Sequence, residues 1–321
     1  MPAAVVTAIA SHLPPTTLSN ADLSAAFPDW PVEKIGDKTG ILSRHVAAPG
    51  ETAADLAVLA ARNLFAQGRV TAADIDFVLL CTQSPDHFLP TSACLIQNRL
   101  GIPTTAGALD YNLGCSGFVY GLGLGKALVE SGQARRLLLL TAETYTKYLA
   151  HDDRSTRSLF GDAACATLIE ADARGGVIGA VVYGTDGAGG GNLIAQQGGH
   201  RCPGTPVMYM NGPEIFNFTL RAVPACMRRL CEQSGVAQAD IDLFVFHQAN
   251  QYMLEHLRKK LGIPAERFAI HMSETGNTGS ATIPLVLEHL AAEGRLLPGM
   301  RVCTVGFGVG YSWGAALLTW R

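Results

Sequence analysis

Ala73-Asp74-Ile75-Asp76-Phe77 reappears in the second half of the chain as Ala239-Asp240-Ile241-Asp242-Leu243, 166 residues later. Leu100-Gly101-Ile102-Pro103 reappears letter for letter as Leu261-Gly262-Ile263-Pro264, 161 residues later. Two such words, in the same order and at nearly the same offset, identify an internal duplication, and self-similarity decides an architecture before any single motif is read. Each first word leads into a short apolar run of strand character, Phe77–Cys81 and Leu243–Phe246. Each second word closes a helix-length segment, with Gly at the helix end and Pro just beyond it. Further on, a glycine turn opens a helix-like stretch in each half, 115–131 and 277–293, closed by Gly132 and Gly294. Apolar strands follow at 137–140 and 302–305. The order in each half is strand, helix, strand, helix, strand and a strand pair. It predicts an α/β protein of two mixed sheets sandwiching buried helices. The charged, Gly-rich segment 171–176 is the expected division, giving halves 1–173 and 174–321. Cys115 and Asn277 lie 162 residues apart, so a pseudo-twofold axis would bring them together at the N-termini of two buried helices.

Composition narrows the function. At roughly 100–200 residues per domain, 321 residues suit two domains or two fused halves with a real core. Hydrophobic residues make up 48% and charged ones 16%, which excludes a disordered chain. A net charge of −3 argues against a general nucleic-acid binder. No apolar run reaches the ~18–20 residues of a membrane span, and the first basic residue is Lys34, so no charged secretory n-region precedes the apolar start. A cytoplasmic protein is expected. Eight cysteines are too dilute for a disulfide framework, and none has the close CxxC or CxxxH spacing of a zinc site, so no metal is expected.

Three residues stand out chemically. Cys115, in Leu113-Gly114-Cys115-Ser116-Gly117, is placed where a helix N-terminus favours its thiolate and flanking glycines admit a substrate carbonyl. The alternative is a buried structural cysteine. His247 follows the apolar run 243–246 at the carboxyl end of a strand, where α/β sites open, and reads as a base or donor, or else as a satisfied core histidine. Asn277, in Gly276-Asn277-Thr278-Gly279, is either a ligand donor or a helix N-cap whose amide is used locally. The tail Gly306-Phe307-Gly308-Val309-Gly310 lacks the lysine of a phosphate loop, and a turn offering a backbone N–H to an oxyanion suits it better.

Taken together, Cys115 in its glycine turn, His247-Gln248-Ala249-Asn250, Gly276-Asn277-Thr278, Gly308-Val309-Gly310 and Trp313-Gly314 resemble β-ketoacyl-acyl carrier protein synthase III. Thr39-Gly40-Ile41 with Arg44-His45, and Phe160-Gly161-Asp162, extend the resemblance over nearly the whole chain. It implies a thiolase-like fold, an internally duplicated five-layer αβαβα sandwich. It also implies a cofactor-free homodimer that joins an acyl starter to malonyl-acyl carrier protein by decarboxylative Claisen condensation. On that pattern Cys115 takes the acyl group from an acyl-CoA or carrier thioester. His247 and Asn277 donate hydrogen bonds to the malonyl thioester oxygen, and the N–H groups of Cys115 and Val309 form the oxyanion hole. Phe160 matches the aromatic beside the nucleophile, or is a core phenylalanine.

The same resemblance assigns Lys34, Lys38, Arg154 and Asn250 to CoA contacts, and Lys259 and Lys260 to carrier docking. The positions that clamp the CoA adenine in many relatives fall here on Lys34 and Lys38, with Trp30 displaced upstream, and lysine cannot stack as Trp or Arg does. Gln251-Tyr252 stands where an arginine is usual. An acyl-carrier donor is therefore a reasonable alternative to CoA. The basic group Arg221, Arg228, Arg229, Arg258, Lys259 and Lys260 is read as a docking patch for an acidic carrier, against a plain solvated helix face. Leu89, preceded by Phe88, occupies the distal acyl-pocket position contributed across the dimer, and a leucine there admits a longer or branched chain unless Phe88 refills the space. Two rivals remain: an acyltransferase passing the group from Cys115 to a hydroxyl or amine, and a non-catalytic partner subunit. The intact Asn277 favours condensation over the first, and the complete trio of Cys115, His247 and Asn277 speaks against the second.

Overall fold

The computed structural model describes residues 2–321. Its first half runs β1 (Ala4–His12), β2 (Thr16–Ser19), α1 (Asn20–Ala26), α2 (Val32–Thr39), β3 (Ser43–Val46), α3 (Ala53–Ala66), β4 (Phe77–Cys81), α4 (Ser92–Leu100), β5 (Gly107–Tyr111), α5 (Gly117–Glu130), β6 (Arg136–Glu143), α6 (Arg154–Arg157) and β7 (Ala163–Ala171). The second runs β8 (Gly176–Thr185), β9 (Leu193–Ala195), β10 (Met208–Met210), α7 (Gly212–Ser234), β11 (Leu243–Phe246), α8 (Gln251–Lys260), β12 (Phe268–Ala269), α9 (Thr282–Ala292), β13 (Arg301–Gly308) and β14 (Ser312–Trp320). The strand order β5-β4-β6-β7-β1 is matched by β12-β11-β13-β14-β8. In both, the strand after the ADID word is parallel to its two neighbours.

The strands read as continuous apolar runs because both faces are covered. Successive residues nonetheless serve different layers, as a pleated strand requires. Leu138 and Leu140 of β6 pack under α3 and α4, while Leu137 and Leu139 face α5. On β11, Phe244 and Phe246 pack under α7 and α8, while Leu243 and Val245 face α9. Three apolar layers thus alternate with two five-stranded sheet halves, with α5 and α9 in the middle. The expectation of two separate sheets needs one correction. β1 and β8 pair antiparallel through Val5 with Val177 and Val6 with Gly176, joining the halves into one ten-stranded sheet. That pairing satisfies the edges which each half would otherwise expose.

Helix α5 can sit between the sheet halves because of glycine. A Cβ on Gly117 would lie 2.2 Å from the Cys81 sulfur, one on Gly121 2.4 Å from the Tyr111 hydroxyl, and one on Gly125 2.7 Å from Ile169. These positions recur every four residues and form one stripe of the helix. The helix starts also differ from the expected ones. α5 begins at Gly117, with Cys115 in the turn before it. α9 begins at Thr282, because Gly279 takes φ +60°, outside any right-handed helix, and a short 3₁₀ turn over Gly279–Ala281 intervenes. Among the described residues, no helix is long and apolar enough to cross a membrane.

Gly121→Ala tests the close approach by sign. In an open helix this change gains about 1 kcal/mol. Here it should lose about 1–3 kcal/mol by overpacking, read as a lower urea midpoint at unchanged m-value.

Candidate active site

Cys115 lies where β5 gives way to α5. Its turn is closed by the Gly117 N–H donating to the Gly114 carbonyl at 2.7 Å. Strand β13 passes directly behind: a Cβ on Gly306 would lie 2.8 Å from the Cys115 carbonyl oxygen, and one on Gly308 would lie 3.0 Å from its sulfur. The Ser116 and Ser312 hydroxyls are 2.6 Å apart and buried, and the Ser312 hydroxyl donates to the Val309 carbonyl at 2.7 Å. With the Ser312 hydrogen spent there, Ser116 donates to Ser312, so the residue after Cys115 fixes the turn carrying Val309. The N–H groups of Cys115 and Val309 both reach the Cys115 sulfur.

The thiolate is not favoured as the helix-terminus argument expected. Burial and the nearby Glu143 carboxylate push the Cys115 thiol up to about 12, against the opposing pull of those two N–H groups. Cys115 stands one residue short of the N-cap, fully enclosed, so desolvation outweighs the helix dipole. Glu143, at the end of β6, is itself raised to about 8 by burial. Ser84 Oγ at 2.8 Å, the Gln83 N–H at 3.1 Å and Ser280 Oγ at 3.3 Å all donate to it.

His247 leaves the end of β11, its N–H held by the Val305 carbonyl at 2.8 Å and its ring edge-on to Phe307. Buried Gln248 pins this loop through the Phe246 and Ala269 carbonyls and the His271 N–H. Burial holds the His247 imidazole down to about 3, so it is neutral; a backbone contact with Gly279 opposes this. Its Nδ1 lies 2.8 Å from Thr282 Oγ1, which in turn donates to the Gly279 carbonyl at 3.0 Å. In that arrangement Nδ1 carries the ring proton and Nε2 presents a lone pair. The resting histidine is an acceptor rather than the expected donor.

Asn277 is clamped by its own backbone. Its N–H donates to the Leu159 carbonyl at 2.8 Å, and its carbonyl accepts from Gly161 at 3.1 Å, which ties it to the other half of the chain on either side of Phe160. Its Oδ1 accepts from the Gly279 N–H at 3.0 Å. The cap-like role expected as a rival is thus present, and it orients the amide: the oxygen is used locally and the NH₂ is left to donate.

Cys115, His247 and Asn277 line one cavity of about 130 Å³ with Phe160, Asn250 and Gly308. A second cavity, about 330 Å³, opens on the other side of Cys115 between Val309, Phe160, Tyr145 and Gln83. Phe160 lines both. Phe88 and Leu89 line neither; they are 79% and 83% exposed, so they shape no pocket within this chain. Asn250 caps α8 through Met253 N–H at 2.8 Å while facing the smaller cavity. Lys34 and Lys38 are exposed on α2. Trp30 is buried, and the Arg154 guanidinium lies over its ring, 5.5 Å from the centroid, so the displaced tryptophan has a cationic partner after all. The Gln251 side chain lies where a Cβ on Gly40 would be, within 2.4 Å. Lys259 and Lys260 are exposed, but Arg258 is bound to Glu255 and Arg229 to the Tyr183 carbonyl, so the basic group is smaller than its sequence suggests. Sequence reading missed Glu143, Thr282, Gln83 and Tyr145. The only signal for Glu143 was a lone carboxylate closing an otherwise uncharged strand.

The sequence model described as 3-oxoacyl-[acyl-carrier-protein (ACP)] synthase III matches residues 109–187, and its C-terminal counterpart matches residues 231–320. A relative from Streptomyces coelicolor, "Beta-ketoacyl-[acyl-carrier-protein] synthase III 3", is 38% identical over 99% of this chain and 97% of its own. "Beta-ketoacyl-[acyl-carrier-protein] synthase III" of Nitratidesulfovibrio vulgaris is 38% identical over 96% and 95%. A crystal structure of a 3-oxoacyl-(acyl-carrier-protein) synthase III superposes with a TM-score of 0.97 at 52% identity, covering 99% of this chain and 100% of that one. With sequence relatives that span the whole chain, a superposable fold and two chain halves meeting at one cysteine, this chain belongs to the β-ketoacyl-[acyl-carrier-protein] synthase III family of acyl-transferring condensing enzymes.

Proposed function

We propose that Cys115 accepts an acyl starter and that His247 and Asn277 then promote its decarboxylative condensation with malonyl-acyl carrier protein. Residues 1–173 supply the nucleophile and 174–321 the two other groups. The observation that carries this reading is the convergence of the three side chains on one cavity, with two backbone N–H groups aimed at the sulfur. In acylation, neutral His247 takes the Cys115 proton on Nε2 as the sulfur attacks the thioester carbon. The N–H groups of Cys115 and Val309 hold the tetrahedral oxyanion. Its collapse expels the donor thiolate, which recovers the proton from His247.

In condensation, the Asn277 NH₂ donates to the malonyl thioester oxygen as CO₂ leaves. His247 donates beside it once the Thr282 hydrogen turns from the Gly279 carbonyl onto Nδ1, which moves the ring proton to Nε2. The enolate carbon attacks the acyl-enzyme carbonyl, and the Cys115 thiolate released takes a proton from solvent. Thr282 thereby selects the tautomer that each half-reaction needs, and Glu143 sets the charge beneath the nucleophile.

Lys259 and Lys260 are proposed to dock an acidic carrier, and Lys34, Lys38, Arg154 and Asn250 to meet a CoA or carrier arm. The exposed Phe88–Leu89 loop is proposed to be covered by a second copy of the chain in a cytoplasmic homodimer, since two large apolar side chains exposed side by side mark a contact surface.

Intact-mass measurement after exposure to acyl thioesters should show an adduct that Cys115→Ser abolishes. Malonyl-carrier protein should discharge it with release of CO₂. Asn277→Ala should retain the adduct and slow discharge by about 10²–10³-fold. An adduct that malonyl-carrier protein cannot discharge would replace condensation by simple acyl transfer. Thr282→Val should slow discharge by about tenfold and acylation less, with Thr282→Ser restoring both. For Glu143, raised from 4.5 to about 8, the protonated form is the one folding favours. Its contribution to stability is therefore complete below about pH 4.5 and lost as pH rises through about 8. The Tm of the parent chain minus that of Glu143→Gln should accordingly fall between about pH 5 and about pH 9.

A further inference from the structure

The larger cavity beside Cys115 has two unlike walls. One is apolar, formed in part by Leu193 and Met208. The other is a hydrogen-bonded polar group: the Tyr145 hydroxyl donates to Gln83 Oε1 at 2.8 Å, Gln83 Nε2 donates to Asn112 Oδ1 at 2.9 Å, and the Tyr148 hydroxyl donates to the Gln83 carbonyl at 3.1 Å. With the Gln83 N–H held by Glu143, this glutamine is fixed at backbone and side chain alike. The group borders the peptide just before the nucleophile, since a Cβ on Gly114 would lie 2.6 Å from Gln83 Oε1 and 2.8 Å from the Tyr145 hydroxyl. An acyl chain on the Cys115 sulfur that enters this cavity must run along that wall.

The wall has hydrogens to spare. The two phenol hydrogens are spent on Gln83, but one N–H of Gln83 and both N–H of Asn112 have no acceptor among the described residues. A hydrocarbon chain would displace water from these donors and return nothing, whereas an oxygen on the chain would replace it. No lysine or arginine lines the cavity, so a carboxylate would lack a counter-charge.

We propose that the starter is an oxygenated acyl group, a short chain carrying a neutral carbonyl or hydroxyl oxygen beyond its thioester carbon, held by the amides of Gln83 and Asn112. This rests on the reading of Cys115 as the acyl acceptor. It makes Gln83 and Asn112 the residues that determine specificity.

The test compares N-acetylcysteamine thioesters of butyryl, hexanoyl, 3-hydroxybutyryl and 3-oxobutyryl groups, reading the initial rate of the Cys115 adduct by intact mass. The faster oxygenated thioester should load at least about threefold faster than butyryl, the size of one modest hydrogen bond. Gln83→Leu with Asn112→Leu should erase or invert that ratio. If the double variant does not fold, Asn112→Leu alone, at an exposed position, should still lower it. Butyryl or hexanoyl loading as fast as either oxygenated group in the parent chain would overturn the inference. So would a ratio unmoved by the variants. An absence of adduct from all four thioesters, and from acyl-CoAs and acyl-carrier proteins as well, would instead overturn Cys115 as the acceptor, and this inference with it.

Discussion

Everything at the site depends on how closely backbones approach one another around a single sulfur. A strand and a helix start can share the space behind Cys115 only if neither brings a side chain there. Gly306 and Gly308 meet that condition on β13, and Gly117 meets it on α5. The same closeness lets two N–H groups reach the sulfur and keeps water from it. Burial is thus what gives the oxyanion hole its strength, and it is also what holds the thiol protonated. A neutral histidine able to take that proton is the complement such a thiol requires, and the enclosure that raises Cys115 also lowers His247.

The second requirement is orientation, met by using up the atoms that should not react. Asn277 spends its backbone on residues flanking Phe160 and its Oδ1 on Gly279, so only its NH₂ remains. Gln248 spends every polar side-chain atom on backbone and holds His247 in place without entering the cavity. Ser116 and Ser312 do the same for the Val309 turn. These side chains act before any substrate arrives, by removing alternatives.

The duplication was legible because ADID and LGIP sit at element boundaries, where turn chemistry tolerates few residues. Cys115, His247 and Asn277 were legible because each lies in an unusual local context of glycine or strand end. Whether the two halves share one sheet was not legible, since Val5 and Val177 look like any apolar strand residues and only pairing reveals them as partners. Gln83 and Tyr145 were invisible for a related reason: their meaning comes from a hydrogen bond across 62 positions of sequence. The Cys115 ionisation was misread because a helix terminus is a local feature, whereas desolvation and the Glu143 charge come from elements distant in the chain. The Arg154 partnership with Trp30 was likewise a matter of three-dimensional proximity that motif spacing places one way and folding another.

The joint between β1 and β8 has a consequence for the order of events during folding. Each sheet half closes with its own five strands, and the direct strand contact between them is two residue pairs long. Contacts within a half span shorter stretches of chain than those between halves and are entropically easier to close. Cys115 belongs to one half and His247 with Asn277 to the other. A nascent chain can therefore carry native-like sheets, tryptophan burial and helical signal while lacking all turnover, and the onset of activity times the docking of the two halves rather than the formation of either.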